Sequence, residues 1–213
     1  MSKKESFYYQ IKFLSENFFV IAPDFPAFGA SAPIEEAWSV GDYSDWLEKF
    51  FAAQNIESAH ILAHSFGARV AFKFTAAHPE RVNKLIITGG AGIVCHDAKY
   101  EKKVRAYRRM KRFFPRLAEK KYGSEEYKKL SPLMKESYKK IVNEDLREVA
   151  AKITRPTLLL YGENDTAAPA SREGKIFASC IKGSRLETMR GGHFCFSEYP
   201  DIFNGFLINF LRN

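Results

Sequence analysis

Ala59-His60-Ile61-Leu62-Ala63-His64-Ser65-Phe66-Gly67 decides how this chain folds, because two periodicities meet inside it. The apolar run over residues 61–63 reads as a buried strand. Residues 68–77, small and apolar, read as a helix packed on a sheet. Ser65 therefore falls on the turn from strand to helix. A sharply bent backbone there favours small residues two before and two after its centre, and Ala63 and Gly67 supply them. The bend lifts the Ser65 hydroxyl above the sheet edge.

Working outward, residues 4–14 carry Phe7, Tyr8, Ile11 and Leu14 at helical spacing, and residues 18–22 read as a buried strand. A turn-rich loop follows, Pro23-Asp24-Phe25-Pro26-Ala27-Phe28-Gly29-Ala30-Ser31. Tyr43, Trp46, Leu47, Phe50 and Phe51 place a helix over residues 42–54, with Asp42 as a capping residue. Further strands are expected at residues 85–88, 157–161 and 185–189. A helical face lies around Ile176 and Phe177, and a last helix begins near Pro200. Strands alternating with helices imply right-handed crossovers and a mainly parallel sheet covered on both faces.

Ala63-His64-Ser65-Phe66-Gly67 resembles the nucleophile elbow of the α/β-hydrolase family, with Ala in place of the commoner first Gly. Two later loops add to the resemblance. Gly162-Glu163-Asn164-Asp165, directly after an expected strand, is similar to the family's acid-bearing loop. Arg190-Gly191-Gly192-His193-Phe194, after the last strand, is similar to its Gly-His loop. Residues 23–31 resemble the loop after the family's fourth strand, matching at Pro23, Asp24, Gly29 and Ser31. They depart at Ala27, where Gly is usual, so strain is expected there.

The resemblance implies an α/β fold: a mainly parallel α/β-hydrolase sheet, helices on both faces, a helical cap insertion, and N-terminal truncation. Residues 1–94 form the first part of the core, 95–152 the cap and 153–213 the rest of the core. It also implies a Ser-His-Asp triad of Ser65, Asp165 and His193, with the Phe66 backbone N–H as one oxyanion donor. Glu163 is the alternative acid, and His60, His64, His78 and His96 read as structural. Phe66, Phe113, Phe114 and Phe194 suggest an apolar acyl pocket, although core packing also accounts for them.

The family's other oxyanion donor comes from a His-Gly motif after its third strand, and this sequence contains no His-Gly dipeptide. Nothing here matches the family's first three strands. The third lies between the fourth and fifth in the family's sheet, so residues 18–22 either pair with the elbow strand or face a gap filled by another chain. A truncated product is the remaining alternative.

Composition limits the function classes. The 213 residues are 46% hydrophobic, with 19 Phe and 10 Tyr, enough for one sizeable core. No apolar run approaches the roughly 20 residues of a membrane span. The start, Met-Ser-Lys-Lys-Glu-Ser, has no signal-peptide core, so a cytoplasmic protein is expected. Cys95, Cys180 and Cys195 lack metal-ligand spacing and read as free thiols. No metal or cofactor is implied.

Residues 99–152 hold 18 Lys plus Arg against 8 Asp plus Glu, which is +10 where the whole chain carries +8. That basic segment is either a solvated exterior or a landing surface for an acidic partner: an anionic or carrier-bound acyl substrate, an acidic carrier protein, a membrane surface or a nucleic acid. No nucleic-acid module is present, and an unpaired sheet edge favours a homo-oligomer. Two functions stay open. One is a serine hydrolase of carboxylic esters, lactones or thioesters acting through an acyl-enzyme. The other is a catalytically silent hydrolase-like protein that binds a ligand or acidic partner through its cap.

Overall fold

Among the described residues, four strands form one parallel sheet in the order β1-β2-β3-β4: β1 Ala59–His64, β2 Val82–Thr88, β3 Thr157–Gly162 and β4 Arg185–Met189. The computed structural model describes residues 3–94, 98–114, 117, 125–128 and 130–213. Along the strands, side chains alternate between faces with period two. Leu85, Ile87, Leu159 and Tyr161 join a core cluster with α2 (Val40–Ala53) and α3 (Phe66–Ala77). Ile86, Leu158, Leu160 and Met189 join a second with the C-terminal helix, α10 (Pro200–Arg212). Both faces are therefore covered, which explains why β3 is buried along its whole length.

The first helix, α1 (Tyr8–Leu14), continues a 3-10 turn at Lys4–Phe7. Phe7 stacks on Phe196 at 4.6 Å, and buried Gln10 donates to the Phe196 carbonyl at 2.8 Å. α2 starts earlier than its apolar stripe suggests, because Ser39 is the cap residue and Asp42 its reciprocal partner in a capping box.

Helices α4 (Ala98–Phe113), α5 (Glu125–Lys128), α6 (Pro132–Val142) and α7 (Arg147–Ala150) occupy the basic segment. Buried Arg69 of α3 donates to the carbonyls of Ile141 and Glu144, and Lys73 pairs with Glu144, fastening this segment to the core. α8 (Lys175–Cys180) and the short α9 (Cys195–Glu198) complete the described α-helices, beside a 3-10 turn at Pro79–Arg81 and a π-helical turn at Ala170–Gly174. Cys195 is buried and Cys180 half-buried, both as free thiols. Cys95 and His96 lie outside the described residues.

One expectation is corrected. Residues 18–22 are not a strand and do not pair with β1; Phe19 is 93% exposed and Ile21 41%. A strand needs a partner for its ladder, and here a cleft of about 1190 Å³ has residues 18–24 and 59–64 among its walls. β1 pairs only with β2 and is an edge strand. Phe18 reaches β1 only through its ring, edge-on to His60 at 6.1 Å.

Ala27 has φ 66°, a left-handed conformation rare for a residue with a Cβ. Around it, buried Asp24 organises the loop, accepting from the backbone N–H of Lys4 at 2.8 Å and of Ala30 at 3.1 Å. Burial pushes the Asp24 carboxyl up, but these N–H donors and Lys4 hold it below its ordinary value. Because the conformation is fixed by that framework, Ala27→Gly should raise stability by up to about 1 kcal/mol, the relieved strain less the entropy glycine loses on folding. A urea midpoint equal to or below the parent's would deny the strain.

Candidate active site

Ser65 sits between β1 and α3 with φ 51° and ψ −108°, a costly geometry for a non-glycine residue. Its N–H reaches the Thr88 carbonyl at 3.3 Å, holding the bend against β2. Position 67 has more room than the bend requires: a Cβ on Gly67 would meet Ala63 Cβ at 3.8 Å, an ordinary contact. Phe66 is the first residue of α3, so its N–H has no partner within the helix and is free to serve a ligand.

The loops after β3 and β4 are laced together by two backbone bonds, Glu163 N–H to Met189 O at 2.8 Å and Asn164 N–H to Gly191 O at 2.9 Å. This brings His193 Nδ1 to 2.7 Å from Asp165 Oδ2. The other carboxylate oxygen accepts from the N–H groups of Ala167 at 2.8 Å and Ala168 at 2.9 Å. Burial drives the Asp165 carboxyl up, yet the His193 ring and these two N–H donors outweigh it and keep it below the ordinary carboxylate range. An ionised carboxylate only accepts, so Nδ1 carries a proton, and in the neutral imidazole Nε2 is then the nitrogen with the lone pair. Glu163 is exposed and makes no contact of this kind.

Ser65, Phe66, His193 and Phe194 all line the cleft beside β1. The structure thus joins Asp165 to His193 and puts Ser65 on the same cleft. Among the described residues, Ser65 makes no side-chain hydrogen bond to His193. Phe66 packs in an aromatic cluster, stacked on Phe28 at 5.1 Å and edge-on to Tyr43 at 4.9 Å. Phe113 and Phe114 do not line this cleft and are 67% and 60% exposed. Their apolar character alone does not say which surface they meet.

His64, read from sequence as structural, touches the site directly. Its Nε2–H donates to the His193 carbonyl at 2.9 Å, and the two rings lie 4.5 Å apart. Gly89, with φ 53°, makes room for both: a Cβ there would lie 3.1 Å from the His193 ring and 3.2 Å from that of His64. Burial, then the neighbouring His193, lower the His64 pKa to about 4.

A pH dependence follows. Between the ordinary histidine value and about 4, the unfolded chain protonates His64 while the folded chain resists, so stability falls as pH drops through that window. At about 1.4 kcal/mol per pKa unit the loss is roughly 3 kcal/mol. His64→Gln keeps a donor for the His193 carbonyl and should flatten urea midpoints across that range. An equally steep dependence in the variant would assign it to other groups.

A family model described as alpha/beta hydrolase fold matches residues 3–100. RutD of Serratia proteamaculans is 24% identical, covering 95% of this chain and 84% of its own. A 2-hydroxy-6-oxononadienedioate/2-hydroxy-6-oxononatrienedioate hydrolase of Klebsiella pneumoniae is 27% identical, over 90% of this chain and 76% of its own. Among solved structures, a bromoperoxidase of Bacillus anthracis aligns with TM-score 0.81 at 17% identity, covering 99% of this chain and 88% of that one.

Proposed function

We propose that this chain, a member of the α/β-hydrolase superfamily, is a serine hydrolase that cleaves a carboxylic ester, lactone or thioester through an acyl-enzyme. A hydrolase role is supported by the relatives that match most of this chain, while acyltransferases match a shorter stretch of it; the nucleophile and bond type are read from this site. One observation carries the reading. The Asp165–His193 pair, at 2.7 Å, leaves the His193 Nε2 lone pair available on the cleft that also holds Ser65 on its strained turn.

In that reading His193 Nε2 takes the Ser65 proton as Oγ attacks the substrate carbonyl carbon. The Phe66 N–H stabilises the oxygen that gains the charge. The imidazolium, steadied by Asp165, returns the proton to the leaving alcohol or thiol, and an ester to Ser65 remains. Water, deprotonated by His193, then releases the acid and restores Ser65. The cleft wall is largely apolar, with Phe25, Phe28, Phe66 and Phe194, which suits an apolar acyl group. Residues 95–152 are the cap in this proposal, flanked by core residues 1–94 and 153–213.

The second reading, a silent binding protein, is favoured by the missing Ser65–His193 hydrogen bond and by the open cleft beside β1. Catalytic hydrogen bonds are often long without substrate. Intact-mass labelling with a fluorophosphonate probe separates the two. A single adduct on the parent and none on Ser65→Ala supports the hydrolase. A folded parent that takes no adduct supports the silent protein.

A further inference from the structure

We propose that the outward face of α4 is a docking surface for an anionic phospholipid bilayer. Lys102, Arg105, Arg108, Arg109 and Arg112 are all exposed and recur at i, i+3, i+6, i+7 and i+10. At 3.6 residues per turn they fall within an arc of about 120°. Val104, Tyr107, Met110 and Lys111, half-buried, occupy the opposite arc. Four of the five cations are arginines, whose planar forks suit phosphate oxygens.

Other cations of the same segment are used internally. Lys140 donates to the Ala37 carbonyl at 2.5 Å, Arg147 pairs with Asp145 at 2.9 Å, and Lys135 lies over the Tyr127 ring. The five on the outward face of α4 have no acidic partner among the described residues. Their one described contact is within the face itself, the Arg112 guanidinium over the Phe113 ring at 5.8 Å. Helical spacing puts a single acid, Glu101, on this arc against five cations, where a merely solvated helix would interleave the two signs more evenly.

The end of the helix decides the occupant. Phe113, Phe114 and Leu117 are 67%, 60% and 58% exposed, three large apolar side chains within five residues and beside the cationic arc. Nucleic acid or an acidic protein would satisfy the charge without needing this apolar tip. A bilayer satisfies both parts: headgroup phosphates meet the arginines, and the tip enters the boundary between headgroups and acyl chains. Charge and apolar insertion together are the two signals that stable surface binding requires. This surface is separate from the cleft and does not depend on the hydrolase reading.

The test is co-sedimentation of the full chain with vesicles of phosphatidylcholine alone or of phosphatidylcholine with phosphatidylserine. Binding is expected only to the second, weakening as salt rises. A variant carrying R105Q, R108Q, R109Q and R112Q should lose about 600-fold in partitioning, at roughly fivefold per cation. F113S with F114S should weaken vesicle binding while leaving any binding of a short DNA duplex unchanged. These side chains are exposed, so thermal midpoints should match the parent's. Equal binding to both vesicles, unchanged binding by the arginine variant, or binding of the DNA duplex without binding of vesicles overturns the proposal.

Discussion

Asp165→Asn is expected to slow covalent labelling of Ser65 by about 10,000-fold without unfolding the chain. Hydrogen-bond polarity is the cause. Asp165 Oδ1 accepts two backbone N–H bonds, from Ala167 and Ala168, and only an oxygen can take that place. An asparagine would keep its carbonyl oxygen there and turn its NH2 toward His193. Nδ1 would then have to accept rather than donate, and the proton would move to Nε2. A ring protonated at Nε2 has no lone pair for the Ser65 proton. The buried frame is preserved, so circular dichroism and the thermal midpoint should stay close to the parent's. Labelling of the variant at the parent's rate would mean that Asp165 does not set the state of His193, and that the reactivity of Ser65 has another origin.

That pair was legible in the sequence because each member follows a strand and a glycine: the apolar run of β3 ends in Gly162, and the mixed run of β4 gives way to Gly191 and Gly192. The run at Thr157–Gly162 is followed by Asp165, and the run at Arg185–Met189 by Gly191, Gly192 and His193. Buried parallel strands announce themselves as such runs, and the loops at their ends inherit a position from them. The strain at Ala27 was legible for a related reason: a loop pattern that asks for glycine was met by alanine.

What failed to show in the sequence depends on pairing across space. Residues 18–22, Phe-Phe-Val-Ile-Ala, have the composition of a buried strand, yet composition records only how such a segment would behave beside a partner. With the cleft beside β1 there is no ladder for them, and Phe19 stands in solvent. His64 was hidden likewise, since its contact to His193 spans 129 residues and nothing local marks it. Phe113 and Phe114 were read as pocket residues because an aromatic pair looks the same in sequence whether it faces an acyl chain or the outside. The capping box at Ser39 was in plain view, three residues before Asp42, but the apolar stripe drew the boundary inward.

Gly162→Ala should abolish fluorophosphonate labelling and lower stability by about 1–3 kcal/mol, the usual range for a methyl forced into packed space. Gly162 ends β3, where the chain carrying His193 passes directly over it. A Cβ there would fall inside contact distance of the Gly192 carbonyl oxygen and 2.5 Å from that of Gly191. Both obstacles are backbone, so no rotamer change relieves them. The strand cannot retreat, since Thr157–Gly162 is buried throughout and paired on both sides. The loop after β4 must therefore give way, and its shift breaks the bonds from Glu163 and Asn164 that hold His193 over Asp165. Loss of labelling with a modest fall in midpoint would place the effect in the loop. A variant that labels normally would show that the loop can move without carrying His193 away, and the close passage at Gly162 would then be a packing detail rather than the feature that sets the site.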